Sequence, residues 1–138
     1  MTGPLPAIGT ATSFAKTLGE SDVYLFAGIT GDLSPNHIDE TTMADGPYGG
    51  RIAHGLLVLS MSGAASTAMQ ARSGRACVSY GYDRIRFTAG VRIGDTLRVH
   101  YQVERIDDES QRTWSTIRIT NQHDELVMVA THILKFID

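Results

Sequence analysis

Beyond Gly74 the chain alternates apolar and polar side chains with a period of two. Residues 78–82, 84–87, 97–103, 114–120 and 126–134 each carry β-branched or aromatic groups on one face and polar groups on the other, the pattern of half-buried strands. Turn formers at Gly90, at Gly94-Asp95 and across 107–110 and 121–124 separate them, which predicts an antiparallel meander. The pattern before Gly74 is different. Between His54 and Ala71 no side chain other than His54 is acidic or basic, and Leu, Val, Met and Ala alternate with small residues, so the stretch predicts one long helix buried nearly all round. Ser60, Ser62, Gly63, Ser66, Thr67 and Gln70 make its second half too polar for a membrane span. Upstream, residues 13–18 form a short first strand or lead-in. Ser21 and Asp22 offer N-cap chemistry to a short helix through residues 23–27. Residues 41–51, rich in Gly, Pro, Thr and Asp, predict a loop with Tyr48 at its tip. The whole is an α+β arrangement, one long helix followed by a sheet large enough to wrap it.

Composition narrows this picture. With 138 residues, 42% of them hydrophobic, the chain suits a single domain spanning 1–138. A formal charge of −3 gives no bulk electrostatic reason to expect nucleic acid or a membrane as partner. Cys77 is the only cysteine. No intrachain disulfide is therefore possible, a reducing cytoplasmic compartment is the expected setting, and Cys77 reads as a small buried apolar residue. Residues 1–6 lack the basic start and apolar run of a secretory signal. There is no P-loop, no GxGxxG unit and no G-x-S-x-G elbow. His100, His123 and His132 lack metal-ligand spacing, and no Cys/His cluster suggests zinc.

The chemistry concentrates between Gly28 and Gly55. Asp32 and His37 lie five positions apart in a segment where Gly31 permits a tight turn, Pro35 fixes φ and Ser34 and Asn36 favour turns. An imidazole and a carboxylate facing the same way can move protons near neutral pH. The plainer alternative is that Asp32 caps the following turn and His37 is an ordinary loop histidine. Gly55, in the first turn of the long helix, would present a free N–H backed by the positive end of the helix dipole, suited to developing negative charge on an oxygen. His54 reads as a helix-entry side chain bonding a nearby backbone group. Arg84, Arg86, Arg98 and Arg118 alternate with apolar residues and form either a solvated face or, for one or two of them, contacts to phosphates.

The segment GITGDLSPNHID followed by GGRIAHGLLVLS resembles the hydratase motif of the MaoC-like (R)-specific enoyl-CoA hydratases and dehydratases. A second piece, RFTAGVRIGDTL, resembles that family's strand-turn-strand, and the two come in the expected order. The resemblance implies a hot-dog fold, an antiparallel sheet of about five strands wrapped around a long central helix. It assigns catalytic roles to Asp32, His37 and the Gly55 N–H, and hydration of trans-2-enoyl thioesters without a cofactor. The partners implied are acyl-CoA or acyl carrier protein thioesters and a second copy of the chain, as a homodimer or dimer of dimers. Ser34 stands where the family usually has Asn. Gly63 stands where some relatives have a serine supporting the Asp, with Ser60 and Ser62 close by. Ser34, Tyr48, Ser60, Ser62 and Arg84 complete the candidate substrate-binding set. The rival readings are an acyl-CoA thioesterase on the same fold and a non-catalytic acyl-binding or dimerisation subunit.

Overall fold

The computed structural model describes residues 3–138. The chain opens with β1 (Ala11–Thr17) and then runs through α1 (Glu20–Thr30), α2 (Pro35–Ile38), α3 (Glu40–Ala44), α4 (Gly55–Ser60) and α5 (Ser62–Ser73). Four long strands follow: β2 (Cys77–Phe87), β3 (Thr96–Asp107), β4 (Arg112–Thr120) and β5 (Leu126–Phe136). All five strands form one antiparallel sheet in the order β1-β3-β4-β5-β2.

The predicted meander holds only for β3, β4 and β5. β2 pairs with β5 at one edge of the sheet, and β1 pairs with β3 at the other. The strands predicted at 78–82 and 84–87 are one element. β2 carries register shifts between Ser79 and Gly81 and between Asp83 and Arg86, with Arg84 at φ 55°, so the strand bends without losing its partner. Alternation along β3 buries Leu97, Val99, Tyr101 and Val103, which join Ile117 and Ile119 of β4 in the core.

The long helix differs from expectation in two ways. It pauses at Met61, where the Ser62 hydroxyl donates back to the Leu59 carbonyl at 2.7 Å and the Ser60 hydroxyl to that of Leu56 at 2.6 Å. It is also buried on one stripe rather than all round. Val58, Ser62, Ala65 and Met69 recur at helical spacing and face the sheet, while Leu56 is 58% exposed. The sheet of one chain covers only one side of the helix. Small residues allow the close approach, since Thr12 of β1 donates its hydroxyl to the Ala65 carbonyl at 2.8 Å.

Two smaller corrections concern α1 and Cys77. The N-cap of α1 is Gly19, not Ser21 or Asp22. Asp22 sits three positions on and accepts the Gly19 N–H at 2.8 Å, and that bond with Lys16 beside it holds its carboxyl below the usual range. Cys77 is half-buried rather than sealed, and burial pushes its thiol up. The loop predicted over 41–51 begins with the short α3, capped by the Asp39 carboxylate on the Thr42 N–H at 3.0 Å. No helix among the described residues is long and apolar enough to cross a membrane.

Candidate active site

Asp32 reaches its position because α1 ends at a left-handed glycine. Gly31 takes φ 76°, its N–H bonds the Ala27 carbonyl, and the chain turns sharply into Asp32. Pro35 then starts α2, a single turn that carries His37. The Asp32 carboxylate, about half exposed, accepts the Ser34 N–H at 3.3 Å and so holds its own turn. The capping role and the catalytic placement are therefore compatible.

His37 is buried, and its Nδ1 lies 2.8 Å from the Ile52 carbonyl. A carbonyl oxygen only accepts, so Nδ1 bears the hydrogen and Nε2 of the neutral ring is a bare base. That Nε2 lies 3.8 Å from Oδ2 of Asp32. The separation is too long for a direct hydrogen bond and suits a molecule held between them. Residues 51–53 form the spine of this arrangement. The Ile52 N–H bonds the Asn36 carbonyl at 3.0 Å, the Ala53 N–H bonds that of Val91 at 2.8 Å, and Ile52 bridges Arg92. Arg51 pairs with Glu20 of α1 and Glu40 of α3, so one guanidinium ties these two helices together beside the turn, and the two carboxylates push its pKa up.

Gly55 is the first residue of α4, so its N–H has no acceptor within the helix. The Phe87 ring lies directly over it, and a Cβ at this position would fall 2.9 Å from the ring. Gly55 and Phe87 also divide two depressions. One, about 650 Å³, is lined by His37, Tyr48, Ile52, Val58 and Arg92. The other, about 240 Å³, is lined by Phe26, Asp32, His54 and Leu56. His37 lines the larger of these and Asp32 the smaller, and the two side chains approach to 3.8 Å beside Gly55, which lines both. A larger groove of about 770 Å³ between β1, β3 and α5 has no carboxylate in its lining and stands apart from this chemistry.

Of the predicted substrate contacts, Tyr48 lines the larger cleft. It is anchored there by Gly90, where a Cβ would come 2.6 Å from its ring. Ser34 is the N-cap of α2 and touches the site through its backbone. The structure does not bring Ser60, Ser62 or Arg84 to either depression. Both serine hydroxyls are spent on helix carbonyls, and Arg84 stands exposed at the bend of β2. Phe87 at the end of β2 and Arg92 in the turn before β3 also line the larger of these two depressions, and neither position carries a local sequence signal for that placement. His54 bonds a backbone carbonyl as expected, that of Asp32 at 2.9 Å. Asp32, His37 and His54 each place a potential ligand atom within 4.8 Å of the others. Nε2 of His54 is committed to that carbonyl and its Nδ1 is closed to solvent, so this trio would take a cation only if His54 turned.

Residues 5–125 match the family described as MaoC like domain. The chain belongs to that family. The (R)-specific enoyl-CoA hydratase of Rhodospirillum rubrum is 34% identical over 127 residues, which cover 88% of this chain and 86% of that protein. The 3-hydroxybutyryl-CoA dehydratase of Methylorubrum extorquens is 36% identical over 105 residues, 76% of this chain and 65% of that one. Among solved structures, the R-hydratase PhaJ1 of Pseudomonas aeruginosa superposes with a TM-score of 0.79 at 29% identity, covering 95% of this chain and 82% of that one. The fold of this MaoC-like domain is accordingly the α+β hot-dog fold. At the level of the family, its activity is that of a hydro-lyase acting as hydratase or dehydratase.

Proposed function

We propose that this MaoC-like domain is an (R)-specific enoyl-CoA hydratase, catalysing the reversible hydration of trans-2-enoyl-CoA to (R)-3-hydroxyacyl-CoA. The observation that carries the reading is the 3.8 Å gap between His37 Nε2 and Asp32 Oδ2, beside the unpaired N–H that opens α4. A water in that gap can give a hydrogen to each acceptor and direct its oxygen at Cβ of the enoyl thioester. Nε2, kept bare by the Nδ1–H bond to Ile52, is ready to take up a proton. As oxygen adds to Cβ, negative charge moves onto the thioester oxygen, where the Gly55 N–H stabilises it. The pair takes one proton from water and returns one to Cα, so atoms and charge balance. Neither a metal nor an organic cofactor is required for these steps.

Exposed apolar side chains on α1, in the turn after it and on α4 support a second proposal, that two copies associate. Leu25, Ile29, Leu33 and Leu56 are between 58% and 81% exposed, more apolar surface than a monomer usually leaves in water. A second chain would cover the open side of the helix and the edge strand β2. The compartment proposed is the cytoplasm, in keeping with a lone free cysteine.

One assay tests the reaction. Purified protein is incubated with crotonyl-CoA and longer enoyl-CoA or acyl carrier protein thioesters, while enoyl absorbance and free thiol are followed. Loss of absorbance without thiol is expected. Thiol release would transfer the site to thioesterase chemistry, and silence across the panel would leave a binding subunit.

A further inference from the structure

His54 takes no part in the proton transfers proposed above, yet it is a more deeply buried polar group than His37, with 2% of its surface exposed. Its ring lies against that of His37, with centroids 3.7 Å apart and planes inclined by 25°, and Phe26 meets it edge-on at 5.0 Å. The Asp32 carbonyl that faces its Nε2 can only accept, so Nε2 carries the hydrogen. In the neutral ring Nδ1 is then bare, and it is buried with no hydrogen-bond partner. Burying a polar nitrogen without a partner costs stability, and packing alone would be served better by a phenyl ring. The one polar return on that cost is the bond to Asp32.

His54 therefore touches both members of the candidate pair, the main chain of one and the ring face of the other. We propose that His54 is a positioning residue. Its Nε2–H pins the backbone of the turn, so that the Asp32 carboxylate stays at its 3.8 Å spacing from His37, and the ring packed against His37 serves to place that donor. It acts through Asp32 and His37 and exchanges no proton with substrate. The kinetic part of this inference rests on the hydratase reading. The spectroscopic part does not.

The test compares wild type with His54→Phe, which keeps the stack and loses the bond, and His54→Gln, whose amide restores a donor near Nε2. Long-range 1H–15N spectra of the wild type are expected to find the Nε2–H tautomer at His54 and the Nδ1–H tautomer at His37. Amide resonances of residues 31–34 are expected to shift in His54→Phe and to return in His54→Gln. With crotonyl-CoA, His54→Phe lowers kcat about tenfold or more with KM changed less than about threefold, and His54→Gln recovers most of the loss. A Nδ1–H tautomer at His54 overturns the proposal. So does a phenylalanine variant with wild-type kcat, or a glutamine variant as impaired as the phenylalanine one while both melt like wild type. If His54→Phe does not fold, the wild-type tautomer and near-normal turnover of His54→Gln decide. If the wild type hydrates no enoyl thioester, the hydratase reading fails, while the tautomers and the amide shifts of the two variants still test the positioning role.

Discussion

Two buried histidines in this molecule meet their surroundings in opposite ways. At His132 on β5, both ring nitrogens meet hydroxyls, Ser79 Oγ at 2.7 Å from Nε2 and Tyr101 at 2.9 Å from Nδ1, and Tyr82 stacks on the ring at 4.3 Å. Nothing is left over. Burial lowers the His132 pKa to about 4, and it pushes the Tyr101 hydroxyl up, so the group stays neutral and acts as structure. At His37 one nitrogen is tied to a carbonyl and the other faces a carboxylate across a gap. A buried imidazole becomes a reagent only when the fold satisfies one nitrogen and leaves the other within reach of something that can enter. The difference lies in the partners, since both residues are buried.

That contrast can be broken from either side. The largest expected effect is at the site, where Asp32→Asn or His37→Ala lowers turnover of crotonyl-CoA by roughly 10²-fold or more with the far-ultraviolet circular dichroism unchanged. Gly55→Ala is expected to slow hydration, because its Cβ would meet the Phe87 ring beside the site. That ring is half exposed and can swing aside, so the urea midpoint is expected to move by less than about 1 kcal/mol. At His132 the signal is stability against pH. The unfolded chain takes up a proton below about 6.5 while the folded one does not until about 4, so stability falls as pH drops through this window. Urea unfolding should register a loss of about 2 kcal/mol between pH 7 and pH 5 from this residue, and His132→Leu should flatten that slope. Smallest of all, Ser60→Ala and Arg84→Ala are expected to leave crotonyl-CoA turnover within about twofold of wild type, as surface substitutions away from the cleft do. A tenfold loss in either would return that residue to the site.

The turn that brings Asp32 to His37 was legible because its information is local. Gly31, Asp32, Pro35 and His37 lie within seven residues, and a left-handed cap followed by a proline-started turn leaves few ways to arrange them. That Ser60, Ser62 and Arg84 lie away from both depressions was not legible, for the opposite reason. A serine in a helix bonds either a ligand or the carbonyl a turn behind it, and one chain's residue order does not say which. The all-round burial expected of the long helix failed similarly, since a lack of charge does not reveal how many layers are present to cover it.

From the sequence by itself came the element types, the turn that carries Asp32 and His37 and, through two motifs in order, the family and its hot-dog fold. Periods of two and 3.6 and the chemistry of turns are properties of neighbouring residues. Tertiary structure alone decided that β2 crosses to the far edge beside β5, that Phe87 closes over Gly55, and that His54 lies on His37 while holding Asp32 from 22 positions away. Such contacts join residues whose separation along the chain carries no periodic signal. They exist because the sheet must curl around one stripe of the helix, and it is that packing which brings the partners within reach.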